Sequence, residues 1–303
     1  MAKVNKSLTV ENCYNNYETT LVPQLVRSLL RKESKSTRNC SKVNLVGSFP
    51  SKQNTLKSSS ISFFEKYLSS CCQIKIFHTA ECQRYNSQNS DFSISSDLGV
   101  QSNNHFRLPH WMEFIDWSHQ IDIEVENPRF GELLNLERLM KPLGDGFLNR
   151  KRKLAFFTSH MREPRGTFFE IFNKEVGIDG YGPFFNKKIL DHNSSGLLKK
   201  DILSDYSFNL CPENNLYPGY VTEKIPEAFQ AGCLPVTWVD PNVKCDFNPK
   251  AFINLHDFAE DYSAVSYVLQ SENELLKYTS EPLLTKKPSI LPLVEFLKGA
   301  LES

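Results

Sequence analysis

The chain is 303 residues long, 40% apolar, and carries 35 basic and 35 acidic side chains. That length predicts two domains at roughly 150 residues each. The balanced charge excludes a global positive field that would draw the chain onto nucleic acid or an anionic membrane, so any anion site must be local.

No run approaches the roughly 18 consecutive apolar residues of a membrane span, and the first residues lack the basic start and apolar stretch of a signal peptide. The chain as given reads as cytoplasmic. The sequons at Asn5, Asn39 and Asn193 keep a Golgi-lumenal alternative open, should an N-terminal anchor have been removed. The eight cysteines form no C-x-x-C pair and have no histidines at zinc-finger spacing, so a metal site is not expected. Cys211 and Cys233 lie in apolar, strand-like surroundings and read as reduced core thiols.

In chain order, residues 7–11 read as a strand, 20–31 as a helix, 43–47 as a strand, 61–68 as a helix, and 73–78 as a strand running into Thr79, Ala80 and Glu81. Residues 85–104 are rich in Ser, Asn and Asp and read as surface loop, with Phe92 and Ile94 as the only strand signal. Arg107 to Trp111 ends this half, and residues 116–149, with several charges and glycines, look like a connection. The expected boundary lies near Arg150, giving domains 1–150 and 151–303.

The second half opens with a strand over 153–158, then Arg165, then a helix over 167–174 whose Phe168, Phe169 and Phe172 read as core. Strands follow at 207–211, 234–239 and 251–255. A helix is expected from Asp257 with Phe258, Tyr262, Val265 and Leu269 inward, and a closing helix over 291–301 that packs back on the body or faces a partner or membrane surface. Strands alternating with helices predict a parallel α/β sheet with ligand at its carboxyl edge. Gly180-Tyr-Gly182 is too short for a dinucleotide fingerprint.

The richest stretch is Tyr206 to Ile225, which sets Glu213, Tyr220, Glu223 and Lys224 between a strand and a helix. Ile225, Ala228 and Phe229 at i, i+3 and i+4 mark a buried helix face. Pro226 is tolerated only in a first turn, so the helix must start near Thr222, a candidate N-cap. Lys224 would then add a full charge where unpaired backbone N–H groups already favour an anion.

Phe208-Asn-Leu-Cys-Pro-Glu-Asn214 with Tyr220-Val-Thr-Glu-Lys224, Ala231-Gly-Cys-Leu-Pro235 and Asp246 to Phe258 resembles the donor-binding half of the α-1,3/4-fucosyltransferases, glycosyltransferase family 10. The similarity covers most of residues 153–260, including the Arg165 helix and Val176 to Gly182. A weaker likeness joins Phe77-His-Thr-Ala-Glu81 and Phe106-Arg-Leu-Pro109 to that family's first half. Pro212 stands where the family has phenylalanine, Val239 where glycine is common, and Ala80 and Cys82 where glycine and asparagine flank the acidic residue.

The resemblance implies a GT-B architecture of two Rossmann-like domains facing a cleft, an acceptor-side domain followed by a GDP-fucose-binding one. It implies an inverting transfer of L-fucose from GDP-fucose to a hydroxyl of N-acetylglucosamine, α-1,3 or α-1,4, in an oligosaccharide or glycoconjugate. Such an activity belongs to glycan, protein-glycan or lipopolysaccharide synthesis. Carried over, Glu81 is the base, Arg165 and Lys224 meet the diphosphate, Tyr220 and Glu223 contact the nucleotide, and Glu213 and Asn214 border the donor pocket. The alternatives are a GT-B transferase using another nucleotide sugar and a non-catalytic nucleotide- or glycan-binding relative.

The chemistry stands without the resemblance. A leaving nucleoside diphosphate gains charge, which Arg, Lys and a helix terminus stabilise without metal. The sequence has no D-x-D, so no metal is expected to be required, although a divalent cation such as Mn²⁺ could still stimulate. Each residue also has a plainer reading: Glu81 as a solvated loop carboxylate, Glu213 as a loop brace, Arg165 and Lys224 as surface cations, Tyr220 as packing, and His78, His160 and His256 as structural histidines.

Overall fold

The computed structural model describes residues 7–14, 16–32, 40–49, 72–82, 90–186 and 197–303. The expected helix over 61–68 and the three sequons lie outside them. The chain divides into two units, Met1–Leu108 with Trp117–Val125 and Ser289–Ser303, and Pro109–Asp116 with Glu126–Pro288.

In the first unit, β1 (Ser7–Glu11), β2 (Cys40–Val46), β3 (Cys72–His78), β4 (Phe92–Ser95) and β5 (His105–Arg107) form a parallel sheet in simple sequence order. The register pairs Val43 with Ile74 and Leu45 with Ile76, and all four are buried, so the alternating apolar side chains of adjacent strands share a layer. Helix α1 (Leu21–Lys32) buries Leu21, Val22, Leu25, Val26 and Leu29, spaced by threes and fours as one face requires. Pro23 sits in its first turn, where no backbone donor is lost.

The second unit holds α2 (Leu136–Leu139), β6 (Lys151–Phe157), α3 (Arg165–Glu175), β7 (Ile178–Tyr181), α4 (Lys199–Leu203) and β8 (Tyr206–Leu210). It continues through α5 (Lys224–Gln230), β9 (Leu234–Thr237), β10 (Ile253–Asn254), α6 (Tyr262–Gln270) and α7 (Glu272–Leu275). Its parallel sheet has the order β10-β9-β8-β6-β7. From β6 the chain goes first to one side, to β7, and then to the other, through β8 to β10. The reversal falls between β6 and β8, whose carboxyl ends lead to α3 and α5, and such a switch point opens a crevice for ligand.

Helix α8 (Leu291–Glu302) returns to the first unit, where the Phe296 ring meets Phe92 and Phe106 at 5.9 and 5.5 Å. The expected single boundary at Arg150 is therefore replaced by four crossings, and the closing helix belongs with the N-terminal strands. Residues 126–149 are no connection either: Phe130, Leu134, Leu136, Leu139 and Phe147 are buried in the second unit. Their irregular spacing shows no period, although Gln230 at the end of α5 grips them through Glu132 and the Leu133 carbonyl.

Strand β7 escapes the sequence pattern because Gly180 interrupts it and Gly177 and Gly182 flank it. At Gly180 an added Cβ would lie 2.5 Å from the Phe185 ring, so the glycine is a packing requirement. The helix expected from Asp257 begins only at Tyr262. Ala259 and Glu260 take left-handed φ values of 47° and 69°, and the Asp261 side chain then caps the Ala264 N–H.

Candidate active site

Beyond β8 the backbone turns through Cys211 and Pro212, and the Glu213 N–H donates to the Trp238 carbonyl at 3.0 Å, which ties the loop to the end of β9. Glu213 is wholly buried, its side chain 0% exposed. Its carboxylate accepts from the Thr222 N–H and hydroxyl, each at 2.8 Å, and from Lys224 Nζ at 2.5 Å. Lys224 Nζ also lies 2.9 Å from the Thr222 hydroxyl.

Thr222 is therefore not the N-cap of α5. That place belongs to Glu223, which makes no side-chain capping bond. The Thr222 hydroxyl goes to Glu213 because a buried ionised carboxylate without donors would cost several kcal/mol. The loop-brace reading of Glu213 is what the geometry shows, and its service to any donor is to hold Lys224 in place. Burial works against the Lys224 charge, but Glu213 and Glu223 outweigh it and raise the ammonium above the usual lysine range.

Arg165 opens α3, 7% exposed. Its Nη2 donates to Asn214 Oδ1 at 2.5 Å and its Nη1 lies 3.0 Å from His160 Nε2. Burial lowers its basicity while Glu213 and Tyr220 oppose that; a guanidinium stays charged throughout. Its hydrogen-bond partners are neutral, so its charge is less compensated than that of Lys224. His160, whose basicity is lowered by burial and then by Arg165 and Arg162, joins the site as a neutral ring. Only its place five residues before Arg165 signalled this in the sequence.

Tyr220 is buried at 2% exposure, with its N–H on the Tyr217 carbonyl. Glu223 is the more accessible of the two acids, its side chain 21% exposed. Burial favours its neutral form, but Lys224, His110 and Lys199 hold the carboxyl well below the usual range. Arg165, Glu213, Asn214, Tyr220, Glu223 and Lys224 thus form one connected cluster at the carboxyl edge of β6 and β8. Glu81 lies in the other unit, half-buried beyond β3, its N–H on the Thr79 hydroxyl at 3.1 Å. The Thr79 hydroxyl in turn meets Ser48 at 3.0 Å.

Residues 147–280, which carry the whole cluster, match the model of the glycosyltransferase family 10 (fucosyltransferase) C-terminal domain. This part of the chain is thus similar to the C-terminal domain of glycosyltransferase family 10. The chain is 30% identical over 210 residues to the alpha-(1,3)-fucosyltransferase FucT of Helicobacter pylori, covering 64% of this chain and 43% of that protein. It is 32% identical over 117 residues to a 3-galactosyl-N-acetylglucosaminide 4-alpha-L-fucosyltransferase of Bos taurus, covering 38% of this chain and 30% of that one. The chain thus spans less than half the length of these curated relatives. A crystal structure of an α1,3-fucosyltransferase with GDP-fucose superposes at a TM-score of 0.65 and 22% identity, over 99% of this chain and 91% of that one. At that identity the likeness speaks to fold, and it agrees with the two parallel α/β units of a GT-B protein.

Within the matched residues, Cys211 and Cys233 are buried free thiols, as their surroundings foretold. Burial pushes each up to about 12, so neither is a nucleophile near neutral pH. Pro212, where the sequence departs from the pattern it otherwise resembles, is also buried in the cluster's loop.

Proposed function

We propose that this chain is a glycosyltransferase family 10 enzyme that transfers L-fucose from GDP-fucose to a hydroxyl of N-acetylglucosamine in a lactosamine-type glycan, α-1,3 or α-1,4, with inversion. The observation that carries the reading is the pairing of Arg165 and Lys224, each at the start of a helix that follows a strand of the switch point. Two cations presented there suit a diphosphate, and they become worth more as the leaving group gains charge. The names of the H. pylori and bovine relatives support the fucosyl donor and the glycan acceptor.

Inversion needs one carboxylate to take the acceptor proton, and Glu81 is the residue proposed. Arg165 and Lys224 supply the charge a metal would otherwise bring, so the reaction is proposed to run without a divalent cation. No membrane contact forms part of the reading, because α8 buries Leu293, Val294, Leu297 and Leu301.

The test is mass spectrometry of a lactosamine acceptor incubated with GDP-fucose and EDTA. Addition of one fucose residue supports the proposal. Donor turnover only with another nucleotide sugar would favour a different GT-B transferase, and GDP binding without turnover a non-catalytic relative.

A further inference from the structure

His110 is absent from the expected site, yet it lies against it. It opens the short 3-10 helix His110–Phe114 and belongs, with that helix, to the second unit. The neighbouring Trp111 N–H donates to the Val221 carbonyl at 3.4 Å, and its indole lies 3.4 Å from Asp246. These contacts fasten the helix to the loop that precedes Glu223.

His110 Nδ1 is 3.0 Å from Glu113 Oε1, and Nε2 is 4.0 Å from Glu223 Oε2. The first is a hydrogen bond and the second an ion-pair distance. Both ring nitrogens thus face carboxylates, and only the imidazolium carries a proton on each. The Phe114 ring stands edge-on at 4.9 Å, and the Glu113 side chain is 2% exposed, so water screens the triad poorly. The charged groups around the ring are Glu113 on its own helix, Glu223 at the N-cap of α5 and Lys224 in its first turn. Burial opposes the imidazolium, Glu113 and Glu223 outweigh it, Lys224 opposes it, and the result lies above the ordinary histidine value.

The charges show what this does. Glu213 and Glu223 match Lys224 and Arg165, leaving the cluster neutral, which is a poor start for binding a dianion. An imidazolium shared between Glu113 and Glu223 loosens the hold of Glu223 on Lys224. It also fixes the Glu223 carboxylate, an acceptor only, for a hydroxyl or N–H of the bound nucleotide. We propose that His110, gripped by Glu113, is a positioning residue that aims Glu223 at the nucleotide and frees Lys224 for the diphosphate. The inference rests on the donor-binding reading above.

The test compares the wild-type chain with His110→Gln by GDP calorimetry and by GDP-fucose kinetics from about pH 6 to about pH 9, across the histidine range. The expected loss is about tenfold in GDP affinity and donor KM at pH 6, with kcat changed much less. The imidazolium is present below its raised pKa and lost above it, so wild-type affinity should fall toward the variant's as pH rises. Titration of GDP itself is common to both proteins and cancels in the ratio. Glu113→Gln removes the grip, lowers the histidine pKa and should move the pH step downward, which keeps the idea testable if His110→Gln folds poorly. A pH-independent ratio, or equal affinities throughout, overturns the inference and leaves donor binding standing. A wild-type chain that binds no GDP removes both.

Discussion

The two sheets are built alike and differ in one respect. The first runs β1 to β5 in order, whereas the second reverses direction between β6 and β8. At that reversal the side chains of the proposed donor site brace one another: Glu213 fixes Lys224, and Asn214 and His160 fix Arg165. In the first unit Glu81 stands beyond β3 with its backbone tied to Thr79. A site built at a switch point is rigid through its own ion pairs, while a residue beyond a simply ordered strand depends on its loop.

The largest break in this comparison is expected from Glu81→Gln. Loss of a general base lowers transfer by about 10²–10⁴-fold. GDP affinity measured by calorimetry should stay as in the wild type, and unchanged transfer would remove the base assignment.

Next comes Lys224→Ala, which strands the buried Glu213 carboxylate and should lower unfolding stability by about 3–5 kcal/mol. Denaturant titration reads this, and GDP affinity should fall with it. The double change Glu213→Gln with Lys224→Met should recover stability but not affinity. Recovery of both would reduce the pair to a structural prop.

Asn214→Ala takes a neutral acceptor away from the charged Arg165 guanidinium, a hydrogen bond worth about 1.5–3 kcal/mol before relaxation. Its GDP affinity should fall about tenfold. The smallest effect is predicted for Thr79→Val, near 1 kcal/mol in stability. At saturating donor it should lower kcat and leave GDP binding alone, since only the Glu81 loop is loosened.

The sequence revealed what depends on local period. The strands at 7–11, 73–78 and 207–211, the helix from Leu21, and the core positions of Phe168 and Phe172 all follow from alternation or spacing by threes and fours. It hid what tertiary contacts decide. Thr222 looks like a cap until a buried carboxylate claims its hydroxyl, and Asp116 to Asn149 looks like a connection because its buried residues keep no period. His110 could not be seen as a site residue, because Glu223 lies 113 positions away and only folding brings the two to 4.0 Å. Residues 165, 213, 214, 220, 223 and 224 were legible as spatial neighbours because a strand, a loop and a Pro-marked helix start read together. That Arg165 and Lys224 differ in how far their charges are balanced was not.

The central claim is that Arg165 and Lys224 together hold a diphosphate without metal. Calorimetric titration of GDP and of GMP in EDTA, into the wild type and Lys224→Met, tests it most directly. The account predicts that GDP binds far more tightly than GMP and that the variant loses most of this difference. Equal affinity for the two nucleotides, or GDP binding that appears only when a divalent cation is added, would contradict it.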